Sequence, residues 1–242
     1  MPSDSRTSVV IPIHNEESLL AATCQGVLQE MGHWEGGIQV VLVENGSTDN
    51  TMQVAKALSE AHPEIEVFQE QLADYGNAVR RGLLEARGEW TVVFDCDLWD
   101  VEFAEAAIEM MRQQPNTAVV VASKTHPDSS DDRSAFRRLG TFAFTHLVKA
   151  MCGLSVSDTH GMKVFSTQRS ATALRECKLI SHVFDTELIV RLERSGFKAG
   201  ELPCSVQELR PARSSYLSRV PSALRDVWKL RVLLASETRS KN

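Results

Sequence analysis

Five times between residues 8 and 122, a short apolar run rich in β-branched residues ends in a turn or polar segment. The runs cover 8–13, 38–43, 65–68, 90–94 and 118–122. They are nearly continuous rather than alternating, the pattern of strands buried on both faces. Stretches with helical spacing separate the first four and lead into the fifth. One opens at Asn15 or Glu16 and carries Leu19, Leu20, Cys24, Val27, Leu28 and Met31. A second runs to about residue 61, with Ser47, Thr48 or Asp49 as its cap. The others span 75–86, closed by Arg87-Gly88, and 102–112. Parallel neighbours need a crossover segment, so this alternation implies an α/β fold with a mostly parallel central sheet and helices on both faces.

The character changes after the fifth run. Residues 127–132 (Pro-Asp-Ser-Ser-Asp-Asp) read as an exposed loop, and a helical stretch follows from 133 to about 151. A glycine-containing turn at 158–161 precedes a short strand at 162–165. Helices near 167–176 and 184–195 and a strand at 197–202 complete the reading. A chain of 242 residues is read as one domain.

With 43% hydrophobic and 24% charged residues, the chain has the composition of an ordinary globular protein. Its net charge of -6 argues against a nucleic-acid partner, which calls for a basic face. Cys24, Cys96, Cys152, Cys177 and Cys204 are scattered and contain no CxxC pair, which fits thiols in a reducing compartment. No run approaches the roughly 18 apolar residues of a membrane-spanning helix. The N-terminus lacks the apolar core of a signal peptide. The expected location is cytoplasmic.

In open α/β sheets ligands sit beyond the carboxyl ends of the strands. The first run is followed by His14, Asn15, Glu16 and Glu17, the second by Glu44, Asn45 and Asp49, and the fourth by Asp95, Asp97 and Asp100. Three strand ends bring carboxylates to one rim, so either a cation sits there or some of these groups face water. In an extended Asp95-Cys96-Asp97 segment the two carboxylates share a face. Hard oxygen ligands of this kind suit Mg²⁺ or Mn²⁺ held together with substrate phosphates.

Val9-Val-Ile-Pro-Ile-His-Asn-Glu16, Val43-Glu-Asn-Gly-Ser-Thr-Asp49, Gly76-Asn-Ala-Val-Arg-Arg-Gly82, Ala86-Arg-Gly88 and Phe94-Asp-Cys-Asp-Leu98 follow one another in order. Asp158-Thr-His-Gly-Met-Lys-Val-Phe165, Phe184-Asp-Thr-Glu-Leu188 and Gly196-Phe-Lys-Ala-Gly-Glu-Leu-Pro203 continue the series. Together they resemble the family-two glycosyltransferases, and within them the dolichyl- or polyprenyl-phosphate sugar (mannose) synthases. The resemblance runs from Val9 to about Ser215. It implies a GT-A fold, a nucleotide-sugar donor, and a polyprenyl phosphate or other small acceptor. It divides the domain into a donor-binding half (8–123), an acceptor-side half (124–216) and a C-terminal helix (217–242).

By the same resemblance Pro12, His14 and Glu16 line the nucleoside pocket, and Glu44 and Asn45 contact base and ribose. Asp74, at a helix start near the sugar, and Asp95 and Cys96 join the nucleotide-sugar set. Asp97, with Asp95, is the expected metal site; His160, in the loop beside Asp158, reads as a further metal ligand, a phosphate donor or a hydrogen-bonded structural residue. Three departures stand out. Glu44-Asn45 replaces paired aspartates, Trp99 replaces a Gln that helps hold the metal, and Arg210-Pro-Ala-Arg-Ser-Ser-Tyr216 lacks the usual Lys. Lys124, Arg137, Arg138 and Arg210 suit phosphate contacts. Asp74 is equally explained as a helix cap, and Arg137 and Arg138 as a solvated helix face.

The implied reaction is an inverting displacement, with Asp97 among the catalytic residues. A lipid phosphate needs no general base. A hydroxyl acceptor needs one, and Asp185 or Glu187 is the candidate. Two other functions share these features: a nucleotidyltransferase and a non-catalytic sugar-nucleotide binding module. The tail from 220 to 235 mixes Leu224, Val227, Trp228, Val232 and Leu233 with Arg225, Lys229 and Arg231. Such a helix packs on its own domain, on a twin subunit in a homodimer, or on a membrane surface as a peripheral contact.

Overall fold

The computed structural model describes residues 6–71, 73–123, 130–131, 148–149, 151, 153–157, 159, 161–181, 183–206 and 216–240, the last with side chains over 225–237. Lys124, Arg137, Arg138, Asp158, His160 and Arg210 lie outside the described residues, as does most of the expected helix over 133–151.

The first half alternates as expected: β1 (Thr7–Ile13), α1 (Leu20–Met31), β2 (Ile38–Asn45), α2 (Thr51–Ala61), β3 (Ile65–Glu70), α3 (Tyr75–Glu85), β4 (Trp90–Val93), α4 (Val101–Gln113) and β5 (Thr117–Ser123). Then come β6 (Ser130–Asp131), β7 (Lys163–Ser166), α5 (Thr167–Glu176), α6 (Phe184–Arg194), β8 (Lys198–Pro203), β9 (Ser205–Val206) and α7 (Tyr216–Ser240). The expected loop at 127–132 differs in one respect, because β6 within it pairs in parallel with β9.

Seven strands form one sheet in the order β3-β2-β1-β4-β7-β5-β8. All pairs are parallel except those of β7, which runs antiparallel to both β4 and β5. The sheet grows from β1 towards β3 in one direction and continues through β4 in the other. The crevice beyond the carboxyl ends of β1 and β4 is therefore a topological switch point, where open α/β sheets bind ligands.

Both faces of the sheet are covered. Val9, Ile11 and Ile13 belong to a core with Leu20, Cys24 and Val27 of α1, Ala55 of α2, and Ala104, Ala107 and Ile108 of α4. Val10, Val41, Val43 and Val93 face the other core, built with Ala78, Val79 and Leu83 of α3, Leu174 of α5, Leu188 and Ile189 of α6, and Leu230 and Leu234 of α7. A strand buried on both sides has no use for alternation, which is why these strands are written as continuous apolar runs. Trp99 packs across α1, where a Cβ on Gly26 would lie 2.6 Å from its ring. Its indole is thus occupied in packing where the resembled enzymes offer a ligand. The buried thiols of Cys24 and Cys177 are pushed up by burial, Cys24 to about 12 with Cys96 adding to the effect.

Candidate active site

The loops after β1 and β2 are laced together. Asn15 takes a left-handed φ of 56°, uncommon outside glycine. Its backbone N–H donates to Ser47 Oγ at 3.0 Å, and its side-chain Oδ1 accepts from Thr48 N at 2.8 Å. Glu16 N donates to Thr51 Oγ1 at 2.7 Å, and Glu17 Oε2 accepts from Asn50 N at 2.9 Å. These bonds hold residues 15–17 outside the helix, so α1 starts at Leu20 rather than at Asn15 or Glu16.

The same network orients His14. Thr48 N can only donate, so the facing atom of Asn15 is its carbonyl oxygen, and the amide nitrogen is the one beside His14 Nε2, at 3.2 Å. Nε2 therefore accepts, and Nδ1–H donates to Asn45 O at 2.9 Å. The imidazole is fixed across the gap between β1 and β2.

Asp95-Cys96-Asp97 is not extended. Asp95 N donates to Leu98 O at 3.1 Å and Leu98 N to Asp95 O at 3.2 Å, closing a tight turn with Cys96 and Asp97 at its tip. Thr23 of α1 anchors the turn by donating Oγ1 to Cys96 O at 2.6 Å. The expected strand-like alternation is thus replaced by a turn. Asp95 and Asp97 still meet, with Pro12, His14, Glu16, Asn45, Ala73, Tyr75 and Cys96, in a cavity of about 300 Å³.

Tyr75 enters the cavity from the start of α3. Gly46, at φ 72°, lets the chain at Ala73 approach, since a Cβ there would lie 3.1 Å from Ala73 N. Gly76 seats the same helix start against the backbone of 180–181, where a Cβ would be 2.2 Å from Ser181 O. Between these contacts the Tyr75 side chain is set beside the Asp95 carboxylate in the cavity. Burial pushes the phenol well above its ordinary range, and the charges of Asp95 and Asp185 add to the shift. Of the two readings open for Asp74, the structure shows the helix cap: it is the α3 N-cap, accepting from Asn77 N at 3.2 Å. Tyr75 was signalled by the rule that pointed to the other strand ends, applied to β3.

Four further expectations change. Glu44 does not line the cavity; it is buried and accepts from Ser47 N to close the turn after β2. Asp100 caps α4 by accepting from Phe103 N at 3.0 Å. Asp185 is buried and accepts from Lys163 Nζ at 2.8 Å, while its other oxygen, Oδ1, has no hydrogen-bond partner among the described residues. Glu187 is a structural acceptor: Lys178 N (3.0 Å), Leu179 N (2.7 Å) and Arg191 Nε (2.8 Å) engage both of its oxygens. A carboxylate with no solvent exposure and both oxygens taken is badly placed to receive a proton from an acceptor.

The described residues contain no group of three or more His, Cys, Asp or Glu able to hold a metal ion. Asp95 and Asp97 at the cavity nevertheless fit Mg²⁺ or Mn²⁺, which use one or two carboxylates and take their other ligands from phosphate and water.

A family model described as Glycosyl transferase family 2 matches residues 8–168. Glycosyltransferase AglD of Haloferax volcanii is 30% identical over 81% of this chain and 32% of its own length. The dolichyl-phosphate beta-glucosyltransferase of Homo sapiens is 28% identical over 75% of this chain and 61% of its own. This chain thus spans about a third of the first relative and three-fifths of the second. Among solved structures, glucosyl-3-phosphoglycerate synthase from Mycobacterium tuberculosis, in complex with Mn²⁺, UDP and glucosyl-3-phosphoglycerate, superposes with a TM-score of 0.66 at 19% identity, covering 93% of this chain and 78% of that one. Mannosyltransferase PcManGT from Pyrobaculum calidifontis, in complex with GDP-Man and Mn²⁺, gives 0.67 at 20% identity, covering 98% and 66%. At such identities the likeness is one of fold.

Proposed function

The chain belongs to glycosyl transferase family 2, and from that premise we propose that it is an inverting, metal-dependent enzyme moving a hexose from a nucleoside diphosphate to a polyprenyl phosphate. The observation that carries the reading is the single cavity joining Asp95 and Asp97 to His14, Glu16 and Asn45 at the switch point of the sheet. The Mn²⁺, UDP and GDP-mannose bound by the structural neighbours support the donor and metal. The dolichyl-phosphate relatives support the acceptor.

In this reading Pro12, His14, Glu16 and Asn45 receive the nucleoside, with Cys96 at the cavity wall. Asp95 and Asp97 hold Mg²⁺ or Mn²⁺, with His160 a further candidate ligand. The bound cation supplies neutralisation of charge on the leaving diphosphate. Tyr75 orients Asp95. Lys124 and Arg210 are proposed as cationic partners of the phosphates. One acceptor oxygen forms the bond to the anomeric carbon as the bond to the diphosphate breaks, and the electron pair leaves on the nucleoside diphosphate. An ionised phosphate acceptor gives up no proton. The commitment of Asp185 to Lys163 and of Glu187 to Arg191 supports this version over a hydroxyl acceptor. We take the chain as one domain, with the donor half ending near residue 123.

The test is transfer of labelled hexose from nucleoside diphosphate sugars to polyprenyl phosphate with Mn²⁺. Asp97→Ala should abolish transfer and leave the Tm unchanged; near-wild-type transfer would remove the metal assignment. Full transfer to a water-soluble alcohol, with none to a short-chain polyprenyl phosphate, would overturn the acceptor.

A further inference from the structure

α7 has two apolar faces. Val227, Leu230 and Leu234 are buried in the second core. Trp228 and Val232 are 61% and 47% exposed. Arg225, Trp228, Lys229 and Val232 fall at i, i+3, i+4 and i+7, one stripe along the helix, and Arg231 is exposed beside it. Three cations are therefore gathered around an exposed indole in a chain of net charge -6. Asp226 is the acidic residue among them and is already engaged by Lys229 Nζ at 3.2 Å. The helix is held firmly from its other side. Glu237 takes Arg191 at 3.0 Å and Lys178 at 2.7 Å, and Arg194 Nη1 donates to Leu234 O at 3.3 Å.

We propose that the outward face of α7, with Trp228 and Val232 at its centre and Arg225, Lys229 and Arg231 around them, seats this protein on an anionic lipid bilayer surface. The charge argues for that occupant over a second copy of the chain. A two-fold contact places the same patch on both partners, so the three cations of each copy would face those of the other. Trp228 and Val232 also offer far less apolar area than the about 800 Å² per partner of a stable interface. No described helix is long and apolar enough to cross a membrane. A helix lying in the interface needs only a shallow apolar face, an indole at headgroup depth and basic residues beside it. Through Arg191 and Lys178 the seated helix is clamped to α6 and to the segment that packs on Gly76, next to Tyr75 in the cavity.

The inference rests on the lipid-phosphate reading for its purpose, but its test needs neither donor nor acceptor. Purified protein is sedimented with phosphatidylcholine vesicles, with and without phosphatidylglycerol. Binding is expected only to the anionic vesicles and should be lost at high salt. Each removed cation should weaken partitioning about fivefold, so the triple variant Arg225→Glu, Lys229→Glu, Arg231→Glu should lose on the order of 100-fold or more. Trp228→Ala, which leaves the charges in place, should also weaken it. The triple variant should stay folded, with only a small fall in Tm from losing the pairs to Asp226, and should keep its transfer to a water-soluble, short-chain polyprenyl phosphate. Equal sedimentation of wild type and triple variant would overturn the docking surface. So would a dimer in sedimentation velocity that Trp228→Ala dissociates. If vesicle-bound wild type transfers nothing to embedded polyprenyl phosphate, the functional reading falls and the docking surface stands.

Discussion

Glu237→Gln tests the clamp between α7 and α6 and has a signature in pH. Glu237 accepts from Arg191 Nη1 and Nη2 at 3.0 and 3.1 Å and pairs with Lys178 at 2.7 Å. The hydrogen bonds from Arg191, with help from Lys178, outweigh desolvation and hold its carboxyl down to about 2 from the ordinary 4.5. On the other side of the pair, burial works against the Arg191 charge, but the bonds to Glu237 and Glu187 hold it above its usual range. A depression from 4.5 to about 2 sets a ceiling of about 3.4 kcal/mol. Glu237 is 25% exposed and Lys178 59%, so solvent screening brings the expected cost of Glu237→Gln to about 1–2 kcal/mol. In a chain of this length that is a fall in Tm of about 2–8 °C. Because the folded value is the depressed one, the stabilisation is complete above 4.5 and is lost as pH falls from there towards 2. At pH 3 about two-fifths of the gap between wild type and variant should remain. Paired urea or thermal unfolding at pH 7 and pH 3 measures it. A gap that is the same at both pH values, or absent at pH 7, would refute the argument.

Two further outcomes follow from the site. Lys163→Met leaves Asp185 charged and alone in the core and should cost about 3–5 kcal/mol. Adding Asp185→Leu should recover much of that loss in the urea midpoint, and no recovery would mean that the pair does more than neutralise itself. Tyr75→Phe keeps the ring and removes the hydroxyl from Asp95, and should weaken nucleoside diphosphate binding in the presence of Mn²⁺ by about 1–2 kcal/mol. Unchanged affinity by calorimetry would take Tyr75 out of the orienting role.

Residue type and spacing within a few turns of chain were enough for β1 to β5, for the helices between them and for the parallel character of the first half. Burial of both strand faces is written directly into runs such as Val9-Val-Ile and Val40-Val-Leu-Val. The family's motifs are equally local, which is why Pro12, His14, Glu16, Asn45, Asp95, Cys96 and Asp97 are legible in the sequence, and the fold brings them to one cavity. What the chain does with an individual polar group was not local. β7 runs antiparallel between β4 and β5, and this places Lys163 in register with Val93 and Val121, inside the core, where Asp185 of α6 meets it. Glu187 is claimed by Arg191 and by the backbone of Lys178 and Leu179, and Arg191 in turn by Glu237, 46 residues away. Asp74 and Asp100 became caps, and the Asp95–Asp97 pair met through a turn. A carboxylate reads the same in sequence whether it caps a helix, closes a turn, neutralises a buried lysine or faces a ligand. Its role is set by which donor lies within about 3 Å, and only long-range packing decides that.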